Sequence, residues 1–115
     1  MDKLLSTICE ALDDKKGENI TIIDLQGLDG TICSYFVIAS AESTVAVGAL
    51  SENVEKETSE KLREKVIRTQ GRENAMWVAM DYGNIMVHIF QNEMRDFYRL
   101  EELWGDAKIS QYNSK

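Results

Sequence analysis

Apolar residues recur along this chain with two periods, and the points where the period changes mark its elements. Leu4, Leu5, Ile8, Cys9 and Leu12 fall on one helical face, with Gly17 as a stop. Ile20 to Leu25 is a β-branched run closed by Gln26-Gly27-Leu28-Asp29-Gly30, and Tyr35-Phe36-Val37-Ile38-Ala39 reads as a neighbouring strand. From Ser43, a reasonable N-cap, the helical period returns. Val47, Leu50, Val54, Leu62 and Val66 form its stripe, opposite Glu52, Glu55, Lys56, Glu57, Glu60, Lys61 and Arg63. Gly71 breaks that pattern. Two β-favouring runs between Trp77 and Phe90 flank Asp81-Tyr82-Gly83-Asn84, whose Gly and Asn tolerate the positive φ of a tight hairpin. A last helical signal runs from about Asn92 to Trp104, and Gly105 ends it.

The order is helix, strand, strand, helix, strand, strand, helix (αββαββα). Strand pairs separated by a helix imply a mixed sheet flanked by helices, an α/β fold. At 115 residues the chain suits a single domain with one core. There is no internal repeat, low-complexity tract or linker, and with no proline the boundaries depend on glycine and polar turns.

Charge narrows the function. Twenty acidic against thirteen basic residues give a formal net charge of −7, which repels a phosphate backbone and argues against direct DNA or RNA binding. A basic protein partner would instead be steered toward it. Met1-Asp2-Lys3 leads straight into an amphipathic pattern, so no signal peptide, transit segment or membrane span is expected. Cys9 and Cys33, far apart among apolar neighbours, read as reduced structural thiols of a cytoplasmic protein.

Candidate chemistry is sparse. His88, the only histidine, lies on a strand on the same face as Met86 and Phe90, and reads as a packed or interface residue rather than a general base. Ala39-Ser40-Ala41 lacks the glycines of a nucleophile elbow. One histidine and two scattered cysteines offer no metal-ligand spacing, and the glycines form no phosphate loop, so no metal and no cofactor are expected. Asp24 and Asp81 are a conceivable carboxylate pair, but each suits a strand end or turn equally well. The aromatics carry more weight. Trp77, Tyr82, Phe90, Phe97, Tyr98 and Trp104 crowd into 28 residues, and the adjacent Phe97 and Tyr98 cannot both point inward from one helix. Some must reach solvent, where Trp and Tyr anchor interfaces, although Trp77 and Trp104 also suit a small core.

Several blocks then stand in a telling order: Ile23-Asp24-Leu25, Tyr35-Phe36-Val37-Ile38-Ala39-Ser40, Trp77-Val78-Ala79-Met80-Asp81-Tyr82-Gly83, Val87-His88-Ile89-Phe90 and Tyr98-Arg99-Leu100-Glu101-Glu102-Leu103-Trp104. In that series, from about Leu4 to Ala107, the chain resembles the ribosomal silencing factors, also called the Iojap or RsfS family. The resemblance implies a non-enzymatic, often dimeric protein that binds the large ribosomal subunit through its protein fourteen, at the face that meets the small subunit. It implies steric exclusion of the small subunit, and lowered translation when nutrients are short. It also implies a fold distantly similar to nucleotidyltransferases, whose Gly-Ser and paired-Asp catalytic parts have no counterpart here. Carried over by position, Trp77, Asp81, Tyr82, His88 and Phe90 in the hairpin and Tyr98, Glu101 and Trp104 in the last helix match the motifs, and these, Trp104 apart, are the expected partner-binding residues. Ser34, Ala41 and Gln70 depart from the usual aspartate, glycine and acidic residue, which weakens any contact Ser34 or Gln70 would make with a basic partner. The rival reading is a nucleotidyltransferase-like enzyme acting on a small molecule, which would need clustered carboxylates for a divalent metal.

Overall fold

The computed structural model describes residues 2–28, 33–103, 105 and 107–112. Its elements follow from local chemistry. The Asp2 carboxylate accepts the N–H groups of Leu4 and Leu5 at 2.8 and 3.1 Å and starts α1 (Lys3–Asp14), satisfying two donors that a helix start leaves open. Gly17 donates its N–H back to the Leu12 carbonyl at 2.8 Å, while Lys16 takes the left-handed conformation with φ 63°, so the expected glycine stop is shared with its neighbour. After β1 (Glu18–Asp24) and β2 (Tyr35–Ala41), the Ser43 hydroxyl accepts the Ala46 N–H at 3.1 Å and caps α2 (Thr44–Leu62), the longest element. Arg63 closes α2 at φ 57°, which leaves Val66 beyond the helix rather than on its stripe.

Next come β3 (Arg68–Gln70), β4 (Trp77–Asp81) and β5 (Ile85–Gln91), then α3 (Asn92–Tyr98), α4 (Leu100–Leu103) and β6 (Lys108–Gln111). The αββαββα order holds, with β3 and β6 added at the sheet edges. Both are short and neither alternates buried with exposed residues in a way that a hydrophobic pattern reveals. The single last helix expected from Asn92 to Trp104 is broken at Arg99, which adopts φ 48° between α3 and α4. Trp104 itself lies outside the described residues.

The six strands form one mixed sheet in the order β3-β4-β5-β2-β1-β6. Only β2 and β5 run parallel, because the chain between them crosses over through α2, whereas the other neighbours pair antiparallel. One sheet face is fully roofed. Leu5, Ile8, Cys9 and Leu12 from α1 and Val47, Leu50 and Val54 from α2 pack with Val37, Ala39, Val78, Met80, Val87 and Ile89. The two helices are tied to each other by a buried amide, Asn53 Nδ2 donating to the Ala11 carbonyl at 2.8 Å. The opposite face carries a smaller buried cluster of Ile23, Leu25, Ile38 and Phe90, and the residues packed over it, Trp77 of β4, Met94 of α3 and Leu100 of α4 among them, are themselves only partly buried. That partly open outer layer sets up the site.

Candidate functional site: an aromatic face beside an arginine clasp

The hairpin builds the site through its register. Tyr82 donates its N–H to the Ile85 carbonyl at 2.9 Å across Gly83 and Asn84, and of the two only Gly83 uses a positive φ, 87°. This turn places Trp77 opposite Phe90, Ala79 opposite His88 and Asp81 opposite Met86. Side chains alternate along strands, so all six occupy the face turned away from α1 and α2. The parallel register with β2 adds Phe36 beside Met86 and Ile38 beside His88.

Four aromatic rings gather there with the imidazole. Trp77 stacks on Phe90 with ring centroids 5.0 Å apart, and Tyr98 of α3 lies against Trp77 at 4.7 Å. The Trp77 indole donates from Nε1 to His88 Nδ1 at 3.1 Å, while Phe36 meets His88 edge-on at 5.0 Å. Burial is graded across the group. Phe90 is fully buried, His88 is 7% exposed, Trp77 is half-buried, Tyr98 is 41% exposed and Phe97 is 75% exposed. The adjacent pair Phe97 and Tyr98 does reach solvent, as two large rings on consecutive helical positions must.

This arrangement suits contact rather than chemistry. Burial pushes the His88 imidazole down to about 4, so it is neutral at physiological pH. Burial pushes the Cys9 thiol up to about 12, and burial followed by the charge of Asp81 raises that of Cys33. Ser40 is buried, its hydroxyl engaged by the Glu18 carbonyl at 3.4 Å and an Arg95 donor at 3.3 Å. Asp24 and Asp81 do not form a pair. Three strand spacings separate them, roughly 14 Å, and each carboxylate accepts a backbone N–H two residues on, from Gln26 and Gly83.

Three of the expected site residues stand apart from the aromatic group, Asp81 because its carboxylate serves the hairpin turn at Gly83. Tyr82 is 8% exposed and turns to α2, where its hydroxyl lies 2.8 Å from that of Thr58. Since the Thr58 hydroxyl donates to the Val54 carbonyl at 2.9 Å, Tyr82 serves as donor in this pair. Glu101 faces Arg95, which sequence reasoning missed. One Glu101 oxygen accepts from Arg95 Nη2 at 2.7 Å and from Nε at 3.1 Å. Arg95 also reaches the Asn19 carbonyl at 2.7 Å and the Thr21 hydroxyl at 2.9 Å. One guanidinium thereby clasps α3 and α4 to β1 and β2, and holds Tyr98 over Trp77. A polar cleft of about 610 Å³ opens beside it, lined by Glu18, Asn92, Asp96 and Arg99 among others. The only signal for this clasp in the sequence is a base among acids in an aromatic helix, which a solvated face displays equally.

A family model described as "Ribosomal silencing factor during starvation" matches residues 1–115. The chain belongs to the ribosomal silencing factor family. A ribosomal silencing factor RsfS of Halalkalibacterium halodurans is 36% identical over 105 residues, covering 91% of this chain and 88% of that one. The chloroplastic protein Iojap of maize is 36% identical over 73 residues, covering 64% of this chain and 31% of its own length. A crystal structure of a Chromobacterium violaceum protein superposes with a TM-score of 0.85 at 29% identity, covering 99% of this chain and 95% of that one. Among the described residues of this silencing factor, no three His, Cys, Asp or Glu side chains converge as metal ligands would, and no helix is long and apolar enough to cross a membrane. Ser34 binds through its main chain, donating to the Asn84 carbonyl at 2.7 Å and accepting from the Leu25 N–H at 2.8 Å.

Proposed function

We propose that this silencing factor acts without catalysis, by binding the large ribosomal subunit through its basic protein fourteen. Seated there, it would occlude the surface that the small subunit needs and so repress translation when nutrients are limiting. The observation that carries this reading is the aromatic face. Trp77, Tyr98 and Phe97 present a half-open apolar patch on an otherwise acidic protein, the composition that anchors protein interfaces. Local charge supports a basic partner. In α3 and α4, Arg95 and Arg99 are paired with Glu101 and Glu102, which leaves Glu93 and Asp96 uncompensated, among the described residues, beside the exposed rings. The reading includes a cytoplasmic location. It also includes a homodimer, for which β6 offers an edge strand exposed along its whole length.

The test is co-sedimentation of the purified protein with isolated large subunits, followed by mixing with small subunits in a gradient. The protein is expected to travel with large subunits and to lower the yield of joined ribosomes in proportion to its occupancy. An unchanged yield at saturating protein would overturn the proposal.

A further inference from the structure

We infer that His88 is a positioning residue for Trp77: its Nδ1 fixes which edge of the indole faces out of the aromatic patch, and so sets the surface a partner meets. The inference rests on the partner-binding reading above. His88, at 7% exposed, offers a partner almost nothing directly, whereas Trp77 is only partly buried.

Two kinds of contact hold the indole. Ring contacts with Phe90 at 5.0 Å and Tyr98 at 4.7 Å restrain its plane but are largely indifferent to which edge leads. The bond from Nε1 to His88 Nδ1 is directional, and it is the indole's polar tether among the described residues. Because an indole nitrogen only donates, Nδ1 must be the acceptor, and the proton of the neutral imidazole sits on Nε2. That Nε2 is buried and, among the described residues, has no hydrogen-bond partner. A leucine at this position would fill the space without a buried ring donor of its own. The histidine therefore carries a cost as a core residue, and the polar contact that offsets it is the one to Trp77. The register makes the contact specific: His88 lies opposite Ala79, two residues along β4 from Trp77, and the small Ala79 leaves room for the indole edge to swing across.

Two substitutions separate positioning from mere support. His88→Asn places an acceptor oxygen at the same number of bonds from the backbone as Nδ1, and His88→Leu removes the acceptor. Nitrogen-15 NMR of the indole N–H, with Trp77 assigned through its loss in Trp77→Phe, reports the tether without any partner. The resonance should be protected from exchange in the native protein and in His88→Asn, and should move and exchange faster in His88→Leu. Affinity for isolated large subunits should fall roughly three- to ten-fold in His88→Leu, the size of one net hydrogen bond, and stay within about two-fold in His88→Asn. In a Trp77→Phe background, which has no indole N–H, His88→Leu should cost nothing further. An indole resonance unmoved by His88→Leu would overturn the inference, as would an equal loss of affinity in both backgrounds. If the native protein does not bind large subunits at all, the proposed function falls, and the indole resonance still decides the tether.

Discussion

His88 is the residue where the sheet's second face and the pH of the surroundings meet. The folded protein holds it neutral, with its pKa lowered by burial from 6.5 to about 4, whereas the unfolded chain takes up a proton near the ordinary value. The sign follows directly. Above about pH 6.5 both states leave the imidazole neutral and the group contributes no pH dependence. As pH falls from there toward 4 the unfolded state alone gains a proton, so stability is progressively lost, by roughly 3 kcal/mol in full. Below 4 the folded state protonates too, and this group's loss levels off. Carboxylates titrate near the lower end of the window, so the useful quantity is a difference. Urea unfolding at pH 7, 5.5 and 4.5 should show the native protein losing stability faster than His88→Asn. If the two lose stability in parallel, His88 is not held neutral by the fold.

The elements show which parts of the structure a sequence can announce. Period two along Ile85–Gln91 was enough to place Met86, His88 and Phe90 on one face, and the Asp81–Asn84 turn to join the two strands, whereas the register that sets Trp77 opposite Phe90 came from the structure. The stripe of Val47, Leu50 and Val54 located α2 and its buried side. What escaped involves contacts with no local trace. The Arg95 clasp reaches residues 55 to 77 positions away in β1 and β2, β3 and β6 are edge strands without an apolar period, and Tyr82 continues the alternation of Val78 and Met80 one step past β4 onto the α2 side, away from the aromatic group. Gly71, read in the sequence only as a break, proves to be a requirement of packing. It adopts φ 94° where the chain leaves β3, and a Cβ there would collide with the Trp77 carbonyl oxygen. Gly71→Ala should therefore combine backbone strain with a clash against backbone that cannot give way, costing ~3 kcal/mol or more, about 10 °C or more in Tm. Gly48 provides the opposite sign. It lies inside α2, and a methyl added there would meet nothing within 4 Å, so Gly48→Ala should raise stability by ~0.5–1 kcal/mol. Thermal melts of the two variants check both, and a tolerated Gly71→Ala would mean that the β3–β4 connection does not pack tightly on the Trp77 backbone.

At the scale of the whole molecule, charge and shape divide the work of binding. The net charge of −7 acts over distance and is screened within about 10 Å at 0.1 M salt, whereas the aromatic patch acts only on contact. A basic partner should thus be found faster because of the acidic surplus, but held chiefly by the rings, since rim charges influence encounter more than residence. Glu93 and Asp96, without an ion-pair partner among the described residues and both on the helix that carries Phe97, are placed to supply that steering. Raising salt from about 20 to 200 mM should slow association with large subunits several-fold, while the dissociation rate changes little. The double change Glu93→Gln with Asp96→Asn should flatten the salt dependence and leave dissociation near its native value, because neither side chain is part of the stacked group. Stopped-flow association against salt, for the native protein and this variant, provides the measurement. An association rate indifferent to salt would show that the acidity of this chain serves solubility rather than recognition. A dissociation rate that rises steeply with salt would instead move the charges from the rim into the contact itself.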